Sequence, residues 1–73
     1  ELLGKEYFME IDVIKVRFLH AQRGLTQQQL AERAGISNTG LAMVLKRGSC
    51  QPGTILRIAR ALGVTPRAIL KEV

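Results

Sequence analysis

The sequence predicts an all-α fold, one compact domain of five short helices. Three observations predict it. Apolar residues recur at spacings of three and four along most of the chain, as in Val13, Val16 and Leu19 or Leu41, Val44 and Leu45. The runs open on helix-start residues (Thr26, Ser37, Pro52, Pro66) and several close on a glycine (Gly24, Gly35, Gly63). Tyr7, Phe8 and Phe18 are the only aromatics, yet 47% of the 73 residues are hydrophobic, so the core is aliphatic and suits small packed helices. A chain of this length is one domain, and it buries roughly 60% of the surface its unfolded form exposes.

Taken in order, residues 1–10 show no helical period, and Gly4 argues against one long helix. Tyr7, Met9, Ile11 and Val13 alternate with Phe8, Glu10 and Asp12, a faint strand pattern. This segment is read as an N-terminal arm, lying on the domain or on a partner chain, or as disordered, or as an extension foreign to a domain spanning 11–73, with Met9 as an alternative start. Helix 1 is expected from about Ile11 to Arg23. Glu10 and Asp12 sit at its positive end, and Val13, Val16 and Leu19 form an inward stripe with Phe18 beside them.

Helix 2 follows Thr26, whose spacing to Gln29 makes a capping box, with Leu25 placed to staple onto Leu30. It runs to Ala34, where Gly35 turns the chain. Ile36 fills the angle, and Ser37 caps a third helix reaching about Lys46 or Arg47. Leu30, Ala34, Leu41, Val44 and Leu45 face inward; Gln27, Asn38, Thr39 and Met43 face outward. Two helices so joined form a helix-turn-helix, whose second helix is suited to a DNA groove. Residues 46–51 read as a loop. Helix 4 opens on Pro52, buries Ile55, Leu56, Ile58, Ala59 and Leu62, and turns Arg57 and Arg60 outward. Thr65-Pro66 starts helix 5, with Ala68, Ile69 and Leu70 on its apolar side.

Charge points to a polyanion. The net charge is +5, but residues 13–73 hold ten lysines and arginines against two acids. The lone Cys50 cannot form an internal disulfide, and no apolar run approaches the ~20 residues of a membrane span, so a reducing cytoplasm is expected. His20 is the sole histidine and reads as a packed imidazole near helix 3. Cys50 has no activating partner, and no carboxylates pair for acid–base work. Neither an enzyme, a cofactor, a metal nor a small-molecule substrate is expected.

From about Val13 to Leu70 the chain resembles the lambda repressor and Cro type of helix-turn-helix domain, the Xre family. Arg23-Gly24-Leu25-Thr26-Gln27, Leu30-Ala31, Gly35-Ile36-Ser37, Leu41, Val44 and residues 58–66 carry the resemblance. It implies a lambda repressor-like five-helix domain whose third helix lies in the major groove. There Asn38, Thr39, Gly40 and Met43 would read bases: Asn38 by its amide on adenine, Thr39 by hydroxyl or methyl, Gly40 by close backbone approach, Met43 against thymine methyls. Gln27 would touch a phosphate, with Gln28, Ser37, Lys46, Arg47, Ser49 and Arg23 as further backbone contacts. Two departures stand out. His20 and Leu45 occupy positions where many relatives carry an Arg–Glu pair, and the glycine after helix 3 arrives one position late, at Gly48. The implied function is a transcriptional regulator, a repressor, binding double-stranded DNA as a homodimer. The dimer surface would be helix 5 (Ile69, Val73) or the arm (Tyr7, Phe8). The alternative is an antitoxin or adaptor module whose chief ligand is another protein.

Overall fold

Among the described residues three helix starts are set by side chains that accept a free backbone N–H, a fourth by a proline, and three helix ends by left-handed glycines. The computed structural model describes residues 8–71. Within them run β1 (Met9–Glu10), α1 (Val13–Gln22), α2 (Gln27–Ala34), α3 (Asn38–Arg47), β2 (Ser49–Cys50), α4 (Pro52–Leu62) and a 3-10 turn at Pro66–Ile69. The Thr26 capping box is complete: its hydroxyl accepts from Gln29 N–H at 3.1 Å and Gln29 Oε1 from Thr26 N–H at 2.9 Å. Ser37 Oγ accepts from Gly40 N–H at 2.8 Å. Such caps stabilise by about 1 kcal/mol each.

Gly35 has φ +74°, a left-handed conformation that a Cβ would strain. Its N–H donates to Glu32 O and that of Ile36 to Ala31 O, so two carbonyls left over at the end of α2 are satisfied within the turn. The core is one aliphatic cluster built on Val16, Leu30, Leu41, Ile58, Leu62 and Ile69, all fully buried. Ala31 and Ala59 are buried with them, and their small side chains let α2 lie close to α4 and α3.

Several expectations are corrected. Helix 1 starts at Val13, not Ile11. The Ile11 and Asp12 N–H groups donate to Gly48 O (3.0 Å) and Ile69 O (2.8 Å), and Asp12 Oδ1 caps the helix through Lys15 N–H. Phe18 and Leu56, assigned to inward stripes, are exposed, while Ile69, offered as a dimer surface, is fully buried. The fifth helix is a single 3-10 turn, because Leu70 is drawn into extended pairing with Ile11. Residues 49–50 are not loop but strand: β2 pairs antiparallel with β1, Met9 opposite Cys50 and Glu10 opposite Ser49. The late glycine fits this pairing. Gly48 ends α3 at φ +79° and the chain passes straight into β2, so no loop residue is needed. His20 turns to the α1–α2 connection, where its Nδ1–H donates to Leu25 O at 2.8 Å. Since a carbonyl only accepts, Nδ1 carries a proton here. Tyr7 and Val73 lie outside the described residues.

Burial of Cys50 in this sheet pushes its thiol from 9.0 up to about 11, against the opposing pull of the Arg47 charge. Between those values the folded chain keeps a proton that the unfolded chain has released. The stabilisation is therefore full below about pH 9 and is lost as pH rises through about 11. In urea titrations, wild type should lose stability relative to Cys50→Ala across that window. A difference that does not change with pH would contradict it.

Candidate nucleic-acid interface

The apolar face of α3 fixes where its polar face points. Leu41, Val44 and Leu45 are buried, and at 100° per residue the opposite side carries Thr39, Met43 and Lys46 at i, i+4 and i+7. Asn38 joins them as the first residue of the helix. Asn38, Thr39, Lys46 and Arg47 are exposed and Met43 is 52% exposed. Gly40 is half-buried, and its bare Cα has a local reason: a Cβ there would meet Ser37 Oγ at 2.9 Å. The Ser37 hydroxyl accepts the Gly40 N–H, which leaves its proton free to donate to a neighbouring anion.

Gln27 and Gln28 occupy the first turn of α2, Gln27 half-buried and Gln28 exposed. Their backbone N–H groups lie at the positive end of that helix dipole. Ser49 stands apart, half-buried in β2 opposite Glu10. Arg23 is exposed at the end of α1, where one guanidinium N–H donates to Leu19 O at 3.3 Å. The structure thus brings Asn38, Thr39, Gly40, Met43, Lys46 and Arg47 together on one helix. It puts Gln27, Gln28, Ser49 and Arg23 on three other segments.

The α2–turn–α3 unit has its counterpart in known proteins. The helix-turn-helix family profile matches residues 17–69. The chain belongs to the helix-turn-helix family, of the Xre type. It is 44% identical over 50 residues to an uncharacterized HTH-type transcriptional regulator of Methanothermobacter thermautotrophicus, a match covering 66% of this chain and 71% of that protein.

Two features of this helix-turn-helix protein escaped sequence reasoning. Arg57, read only as an outward-facing charge, lays its guanidinium against the turn, 3.3 Å from where a Cβ on Gly35 would sit. With Arg33 and Arg60 it lines a shallow basic groove of about 490 Å³. The second is Phe8, whose ring lies under Arg47, the guanidinium carbon 5.3 Å from the ring centroid. The alternation through residues 7–13 was the only signal for it, and that pattern names no partner. Among the described residues no group of three His, Cys, Asp or Glu is placed to hold a metal, and no helix is long and apolar enough to cross a membrane.

Proposed function

We propose that this chain binds double-stranded DNA with sequence preference, as a cytoplasmic transcriptional regulator that represses by occluding its operator. The observation that carries the reading is the outward strip of α3, with Leu41 fully buried behind it. Asn38, Thr39, Gly40 and Met43 read base edges in the major groove. Gln27, Gln28, Ser37, Lys46, Arg47, Ser49 and Arg23 hold the sugar–phosphate backbone. No arginine or lysine faces guanine from the first turn of α3, which favours half-sites containing A·T pairs. Two copies on a pseudo-palindrome would place their α3 helices ~34 Å apart. Ile69, half of the first candidate surface, is buried, which favours residues 1–7 of the arm for their contact. No catalytic step belongs to this function. In this reading residues 1–10 are an arm and residues 11–73 the DNA-binding domain.

Salt dependence tests the reading. If about four phosphates are neutralised, log affinity should fall with log salt at a slope of about −3.6. Affinity for a duplex selected from a random pool would then drop by more than a hundredfold between about 50 and 200 mM salt. Absent binding, or binding flat with salt, would remove the proposal.

One observation favours the second reading, an antitoxin or adaptor module. Ile14 and Phe18 stand 81% and 61% exposed at i, i+4 on α1, flanked by Lys15 and Arg17. A protein ligand there would be weakened by Phe18→Ala at any salt concentration, whereas duplex affinity would stay unchanged.

A further inference from the structure

We infer that Phe8 is a positioning residue for Arg47, through which the strand entering the domain supports duplex binding without touching the duplex. The inference rests on reading α3 as the DNA-recognition helix. Arg47 is the last residue of α3, and an exposed arginine at a helix end ordinarily samples many rotamers. Here the ring of Phe8 lies 5.3 Å from its guanidinium carbon, within the range of a cation–π contact.

Both partners are delivered by the same ladder. Phe8 immediately precedes β1, whose Met9 pairs with Cys50, three residues beyond Arg47. Ile11 N–H donates to the carbonyl of Gly48, the residue directly after Arg47. The backbone on each side of the contact is therefore fixed.

The chemistry of the partner matters. A carboxylate would hold the guanidinium by neutralising it and occupying its N–H donors. A phenyl ring restrains it and does neither, so the full charge and the donor fork stay available to a phosphate. Glu10, two residues after Phe8, has a carboxylate oxygen 3.9 Å from Lys71 Nζ. Phe8 is itself 43% exposed, which keeps its replacement from emptying the core.

The test measures affinity from about 50 to 200 mM salt for a duplex selected from a random pool, with thermal melts alongside. Wild type, Phe8→Ala, Phe8→Tyr, Arg47→Ala and the double variant Phe8→Ala/Arg47→Ala are compared. Phe8→Ala should bind about two- to fivefold more weakly. Phe8→Tyr, which keeps the ring, should match wild type. Arg47→Ala should flatten the salt slope by about 0.9, and Phe8→Ala should cost nothing further in that background. A Phe8→Ala loss that persists undiminished beside Arg47→Ala, or a change confined to the melting temperature, overturns the inference. So does an Arg47→Ala variant with unchanged slope, in which case duplex reading by α3 still stands. Absence of duplex binding by wild type overturns both.

Discussion

Leu41→Ala should lower the stability of the domain by about 2–5 kcal/mol, the usual cost of emptying a leucine-sized site in a packed core. Leu41 is 0% exposed and sits in the second turn of α3, five residues after Ile36, which packs against the same core from the other side of the Ser37 cap. At roughly 0.05–0.15 kcal/mol per residue, a chain of this length has about 4–11 kcal/mol of total stability. The substitution therefore removes a large share, and the melting temperature should fall by at least about 10 °C. Met43→Ala, two positions on and 52% exposed, is the internal control and should change stability by less than about 0.5 kcal/mol. Similar melting temperatures for the two variants would show that α3 is not anchored through Leu41. The prediction bears on function because nothing but its buried side sets the direction of the outward strip.

The elements around that residue were legible because their signals are local. Thr26 with Gln29, Ser37 with Gly40, and Gly35 each act within five residues, and all three cap or turn as the sequence implies. What was not legible depends on distant partners. β1 and β2 are two residues each, too short to show a period, and they pair across forty positions. That pairing shortens α1 at its start, removes the expected loop and buries Cys50. Its neighbour, the Ile11–Leu70 bridge, reduces the fifth helix to one 3-10 turn. Phe18 and Leu56 lie beside the inward stripes of their helices and are apolar, yet both are exposed; apolarity is a one-way guide, since much of any protein surface is apolar too. The candidate site divides along the same line. Positions on α3 follow from the helical period. The Phe8–Arg47 and Arg57–Gly35 contacts join segments that no short spacing connects.

Asn38→Ala and Lys46→Ala should separate reading from holding. Both residues are exposed on α3, at its first turn and its last. An amide in the groove distinguishes one base pair from the others because its donor and acceptor match a single edge pattern. Removing it should cost about 1–3 kcal/mol on the preferred duplex and little on duplexes altered at the corresponding position, so preference there relaxes. A lysine on a phosphate meets the same oxygen in every sequence. Lys46→Ala should therefore weaken all duplexes by a similar factor and reduce the salt slope by about 0.9, with base preference intact. Neither exposed side chain supports the core, so thermal melts should leave both variants within about 0.5 kcal/mol of wild type. Competition against a panel of single-pair variants of the selected site measures both effects at once. Uniform weakening by Asn38→Ala would move that residue from the reading set to the backbone set. A change of base preference in Lys46→Ala would do the reverse, and would mean that α3 lies deeper along the groove than its first turn alone requires.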